Sequence, residues 1–243
     1  MRWTPERQPP QTRVRRGLAP LQVRDNTAPM HAPIGVFGGT FDPIHHGHLR
    51  LALELCEQLG LERVYVVPAK LPVHRDAPQA SAAQRSEMVR RAVAGTTSLV
   101  LDERELRRPG PSFMVETLAD FRGEFVDRPI CLLLGMDAFA ALHTWHRWRE
   151  ILDLAHVAVA GRPGAVLPMQ GRVGTVVRER STTQYGEISA TLNGRIALGE
   201  IPGLDISSSG IRAALGQGRS PRYLLPAAVV EYIESEGLYT NAK

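Results

Sequence analysis

Residues 38–48 read GGTFDPIHHGH, and they join two segments of different periodicity. Upstream, Ile34–Phe37 is a short unbroken apolar run, the pattern of a strand covered on both faces. Downstream, Leu49, Ala52, Leu53, Cys56 and Leu59 recur at helical spacing until Gly60 stops them. The strand therefore runs through a glycine pair into a helix start. Gly38 and Gly39 let a ligand approach the backbone closely. His45 and His48, three residues apart across the helix start, can direct two imidazoles at one spot. The helix N-terminus adds unpaired N–H groups and partial positive charge. Glycines, imidazoles and a helix start together describe a polyphosphate pocket. Neither G-x-x-x-x-G-K-[ST] nor G-x-G-x-x-G is present, and no H-E-x-x-H supports zinc, so no metal ligands are assigned. The plainer alternative is a Gly-Gly turn followed by capping histidines.

Working outward, Arg63–Val67 reads as a second strand stopped by Pro68, and Ser81 with Gln84 as a capping box for a helix to about Ala94. Leu99–Leu101 is a third strand. Ser112 is expected to cap a helix to about Phe121, and Ile130–Leu134 is a fourth strand ending at Gly135. A helical pattern resumes through Leu142 and Ile151, and His156–Ala160 is a fifth strand. Residues 162–200 carry no assignable periodicity; Ser207 opens another helix and Pro226–Glu236 forms the last. Uniformly apolar strands alternating with helices predict an α/β fold: a Rossmann-like, doubly wound parallel sheet with helices on both faces. Ligands of such sheets bind beyond the carboxyl ends of the strands, here Gly38, Pro68, Asp102, Gly135 and Gly161.

The 243 residues suffice for a large buried core, and 43% hydrophobic with 22% charged residues excludes collagen-like, coiled-coil and wholly disordered chains. No apolar run reaches the length of a membrane span. The net charge of +4 invites a nucleic-acid reading. Its location argues otherwise. Residues 1–33 hold six arginines against Glu6 and Asp25, so the segment carries the whole excess, together with six of the 18 prolines. The expectation is a disordered Arg/Pro-rich extension over 1–33 and one domain over 34–243, with Met30 an alternative start. The extension has no apolar core of a secretory signal and no serine of a transit peptide. Two cysteines in apolar surroundings, Cys56 and Cys131, fit a reducing cytoplasm.

A second motif, ISSSGIR (Ile206–Arg212), places three serines at a helix start and an arginine fork behind them. Alone it reads as a cap with a solvated arginine; together the two motifs can grip one polyphosphate from opposite sides. GGTFDPIHHGH and ISSSGIR resemble the H-x-G-H and I-S-S-T-x-I-R signatures of a nucleotidyltransferase family related to class I aminoacyl-tRNA synthetases. VPAKLPVHR (Val67–Arg75), DERELRRPGPSFMVETL (Asp102–Leu118), LLLGMDAFAALHTWHRW (Leu132–Trp148), Arg162–Gly164 and the closing VVEYIESEGLY narrow the resemblance to the bacterial nicotinate-nucleotide adenylyltransferases. It spans about residues 34–240.

The resemblance implies transfer of AMP from ATP to nicotinate mononucleotide, with ATP-bound Mg²⁺ as the metal. It implies that His45, His48 and Arg212 are catalytic. ATP would meet Gly38, Gly39, Thr40, Phe41, Lys70, His74, Arg75, Gly135, Asp137, Ser207 and Ser208. Nicotinate mononucleotide would meet Trp145, His146 and Met114, with Trp145 stacking on the pyridine ring and Trp148 serving the core. Departures from the family pattern are Val73 for Pro, Arg75 for Lys, Met114 for a Thr, His146 for a Tyr and Ser209 for the Thr of the second signature. Two other readings stand beside this one: a related transferase using nicotinamide mononucleotide or phosphopantetheine, and a non-catalytic nucleotide or RNA binder. Neither nucleic acid nor membrane is an expected partner, and monomer and homo-oligomer both stay open.

Overall fold

The structure, a computed structural model, describes residues 31–72 and 77–240. The expected extension therefore lies outside the described residues except for His31–Pro33, as do His74 and Arg75. In chain order the elements are β1 (Ile34–Gly39), α1 (His46–Gln58), β2 (Arg63–Pro68), α2 (Ala82–Val93), β3 (Leu99–Leu101), α3 (Arg104–Arg107), α4 (Met114–Glu124), β4 (Ile130–Gly135) and α5 (Met136–Ala140). There follow α6 (Ile151–Leu154), β5 (His156–Gly161), α7 (Gly171–Arg180), β6 (Ser181–Thr182), α8 (Gly186–Ala190), β7 (Ile196–Glu200), α9 (Ser208–Gly216) and α10 (Ala227–Ser235). Among the described residues the strands form one seven-stranded, all-parallel sheet in the order β3-β2-β1-β4-β5-β7-β6. No described helix is long and apolar enough to cross a membrane.

Period-two alternation sorts the strand side chains onto two faces. Val64, Val66, Cys131, Leu133 and Ala158 join one core with Ala52 and Leu55 of α1, Met88 of α2, Ile211 of α9 and Ile233 of α10. Ile34, Val36, Leu132, Leu134, Val157 and Val159 join the other with Leu118 and Phe121 of α4, Trp148, and Val173 and Val177 of α7. The sheet is therefore doubly wound, as the uniformly apolar strands predict. The chain leaves β1 for β2 and β3 on one side, then returns to β4 on the other. Strand order thus reverses at β1, and the glycine pair stands at that switch point. Gly60 closes α1 as expected: with φ of 60°, it lets its own N–H reach Glu57 O (3.3 Å) and the Leu61 N–H reach Cys56 O (2.9 Å).

All five expected strands and the Ser81–Gln84 capping box are present. Three expectations are corrected. Residues 162–200 do hold structure, α7, β6, α8 and β7; the last is short and contains Ala197 and Gly199, where the Leu55 side chain presses close, so its apolar signal is weak. The stretch from Leu142 to Ile151 is two 3-10 turns, Leu142–Thr144 and Trp148–Glu150, parted by Arg147 at φ 50°. Ser112 does not cap α4; its hydroxyl accepts the Lys70 N–H at 2.9 Å, and Phe113 takes the cap position without a side-chain bond.

At the opposite end of the sheet, fully buried His156 accepts the Arg195 N–H on Nδ1 (3.0 Å) and meets Thr191 O through Nε2 (2.8 Å). That pairing needs a neutral ring with hydrogen on Nε2. Burial, helped by Arg122 and Arg195 and opposed by the Thr191 carbonyl, lowers its pKa from 6.5 to about 4. The unfolded chain therefore binds the extra proton first as pH falls, and stability declines between pH 6.5 and 4. The loss from this residue between pH 7 and 5 is on the order of 2 kcal/mol. Urea unfolding at both pH values should show His156→Gln losing that much less than the wild type. Equal losses would contradict the assignment.

Candidate active site

His45 is the N-cap of α1 and His48 its third residue, and they cap each other. The His48 N–H donates to His45 Nδ1 (3.4 Å), and the His45 N–H donates to His48 Nδ1 (3.3 Å). The rings stack at 3.7 Å between centroids, 23° from parallel. An Nδ1 that accepts carries no hydrogen, so each neutral imidazole holds its proton on Nε2 and donates from there. Burial, with His46 adding to it, lowers the His45 pKa from 6.5 to about 4, so this ring is neutral at pH 7. Gly47 is small for a reason of space: a Cβ there would sit 3.0 Å from His45 Nδ1. The buried Phe41 ring meets His48 edge-on at 5.2 Å and Phe37 at 5.5 Å, so this expected ATP contact orients a histidine.

The turn between β1 and α1 is pinned by groups whose role no local sequence pattern marks. Asp42, only 5% exposed, accepts the Gln79 N–H (2.9 Å), the Ala80 N–H (3.1 Å) and the Tyr239 hydroxyl (2.7 Å). Arg85, 1% exposed on α2, donates to Thr40 O (2.6 Å), Ala80 O (3.2 Å) and Lys70 O (3.2 Å). A buried guanidinium that donates from each of its three nitrogens to a carbonyl is held in place. Thr40 thus contributes its carbonyl to the scaffold. No local pattern marks these partners, which come from positions as far apart as 42 and 239.

The two motifs meet directly. Ser208 Oγ donates to Pro43 O (2.9 Å) and Arg212 Nη1 donates to Asp42 O (2.7 Å). Ser207 caps α9 as expected, its Oγ accepting the Gly210 N–H at 3.1 Å. The α1 and α9 N-termini are therefore side by side, and the Ser208 hydrogen is committed within the protein. Among the described residues, Arg212 Nε is buried without a hydrogen-bond partner.

On the opposite face of the sheet, Met114 and Trp145 pack against one core, and the His146 ring lies 4.3 Å from that of Phe113. The Met114 methyl also lies over Gly38, so of the three expected mononucleotide residues Met114 reaches the end of β1. Trp148 is buried in the core as predicted. Gly135 caps α5, and Asp137 is exposed in its first turn, not at the cap. Lys70 Nζ donates to Arg108 O (3.0 Å). A groove of about 450 Å³ beside α4 is lined by Glu116, Asp120 and Glu150, each within 4 Å of Arg108 or Arg147. It contains none of the predicted residues. Among the described residues no three His, Cys, Asp or Glu side chains are placed to hold a metal ion.

Residues 36–214 match the family model of cytidylyltransferase-like proteins. A protein of Aeromonas hydrophila named "Probable nicotinate-nucleotide adenylyltransferase" is 43% identical over 210 residues, 86% of this chain and 98% of that protein. Proteins of the same name from Marinobacter nauticus (46%, covering 84% and 95%) and Methylococcus capsulatus (45%, covering 86% and 100%) are equally similar. Among solved structures, Plasmodium falciparum nicotinic acid mononucleotide adenylyltransferase complexed with NaAD has the same fold, with TM-score 0.66 at 17% identity over 86% of this chain and 98% of that one. The chain belongs to the cytidylyltransferase-like family, among its nicotinate-nucleotide adenylyltransferases.

Proposed function

We propose that the protein transfers AMP from ATP to nicotinate mononucleotide, forming nicotinate adenine dinucleotide and pyrophosphate. The observation that carries this is the stacked His45–His48 pair at the start of α1, beside the α9 N-terminus, at the point where strand order reverses. A phosphate oxygen of the mononucleotide attacks the α-phosphorus of ATP in line; one O–P bond forms, the bond to the β-phosphate oxygen breaks, and pyrophosphate leaves. Such a step needs position and charge stabilisation more than covalent help. His45 and His48 donate from Nε2 to the α-phosphate and the bridging oxygen as charge grows there. The Gly38 and Gly39 backbone and the α1 N-terminus hold the same phosphate from behind.

The α9 N-terminus, Ser207 and Arg212 hold the β- and γ-phosphates, with Lys70, His74 and Arg75 supplying charge from the loop after β2. Gly135 and Asp137 meet the adenosine. Trp145, flanked by His146 and Met114, takes the pyridine ring. The described site offers nitrogen donors and one fully hydrogen-bonded carboxylate, Asp42, which suits Mg²⁺ that arrives on the ATP phosphates as part of the substrate. Buried, free Cys56 and Cys131 suit a cytoplasmic enzyme. Residues 34–243 form the catalytic domain, and 1–33 are dispensable.

Purified protein should release pyrophosphate from ATP with nicotinate mononucleotide, and turn over the amide mononucleotide far more slowly. Equal rates with acid and amide would sink the specificity. His48→Ala removes one Nε2 donor and half of the α1 cap. It should lower kcat about 10²–10³-fold, while the lost cap costs only about 1 kcal/mol of stability. Activity within a few-fold of wild type would refute the role of His48.

A further inference from the structure

Tyr239 belongs to the last turn of the described chain yet touches the first functional loop. After α10 the backbone reverses, with the Gly237 N–H on Glu234 O (3.3 Å) and the Leu238 N–H on Ile233 O (3.0 Å). Tyr239 then takes a left-handed backbone, φ 62°, which a side chain tolerates only where its surroundings hold it. What holds it is Asp42 Oδ1, 2.7 Å from the hydroxyl, beside Phe41, itself left-handed at φ 49°. Two unfavourable conformations thus face each other across one hydrogen bond.

The charges around that bond are unequally committed. Oδ2 of Asp42 accepts Gln79 N–H and lies 3.8 Å from Arg212 Nη1. Arg85 has donated from all three guanidinium nitrogens to carbonyls. Arg212 donates once, from Nη1 to a carbonyl, and among the described residues its Nε and Nη2 make no hydrogen bond. If Asp42 lost its hydroxyl partner, Arg212 would be the cation able to replace it, and a guanidinium fork on a carboxylate is a strong pair.

We propose that Tyr239 is a positioning residue for ATP: by occupying Asp42, it keeps the Arg212 guanidinium turned toward the polyphosphate. The inference rests on the reading of this site as an ATP site. A phenol that stays protonated suits the role, and burial next to Asp42 holds the Tyr239 pKa well above its usual value.

The test compares wild type, Tyr239→Phe, Arg212→Gln and the double variant. Pyrophosphate release is measured with ATP and nicotinate mononucleotide varied separately, and ATP binding by calorimetry. Loss of one hydrogen bond to a charge predicts a fall in kcat/KM for ATP of about tenfold in Tyr239→Phe, with KM for the mononucleotide within about twofold. In the Arg212→Gln background the second change should leave ATP affinity as it was. An unchanged Tyr239→Phe enzyme, an equal loss toward both substrates, or a further loss of ATP affinity in the double variant would each overturn the inference. A wild-type protein that binds ATP but releases no pyrophosphate would instead overturn the functional reading, leaving the binding comparison to decide the role of Tyr239.

Discussion

Two backbone hydrogen bonds, each from one histidine's N–H to the other's Nδ1, are the constraint on which the site depends. They cap α1 without a serine or aspartate, so the cap uses the same side chains to which the proposed chemistry is assigned. They also settle the tautomer, because an accepting Nδ1 leaves the hydrogen on Nε2. A cap that fixes its own donors needs little reorganisation when a phosphate arrives, which is the condition under which electrostatic stabilisation is strongest. Gly47 follows from the same geometry, since its Cβ would crowd the His45 ring.

The sheet supplies the place and the loops supply the precision. Reversal of strand order at β1 opens the crevice at Gly38 and Gly39, with α1 and α9 on one face and α4 with residues 145–148 on the other. Helix N-termini thus stand on one layer of the sheet, and aromatic and thioether side chains on the other. The turn that carries the histidines spans this junction. It is fixed by Asp42 and Arg85, whose charges are matched inside the protein instead of being aimed at a ligand.

What could be read from the sequence was whatever is encoded locally. The apolar run Ile34–Phe37, the capping box at Ser81 and Gln84, and the Gly60 stop each state their own structure, and all three are present. The motifs GGTFDPIHHGH and ISSSGIR were legible because the residues of each are contiguous. Their mutual contact was not: Ser208 on Pro43 and Arg212 on Asp42 join positions more than 160 residues apart. Ser112 misled because a serine before a helix has the same sequence signature whether it caps that helix or reaches Lys70. Likewise β7 was hidden by Ala197 and Gly199, the glycine leaving the space that the Leu55 side chain fills. Asp42 is the clearest case. It sits inside the most conspicuous motif, yet its partners Gln79, Ala80 and Tyr239 appear only once the chain is folded.

The central claim is that this arrangement positions two phosphates for a single direct displacement, with no covalent bond to the protein. The stereochemical course at the α-phosphorus tests it most directly. ATP made chiral at that centre by one sulfur, in the presence of nicotinate mononucleotide, should give a dinucleotide of inverted configuration. Retention would mean two successive displacements through a nucleotidylated side chain, and would contradict the role assigned to His45 and His48.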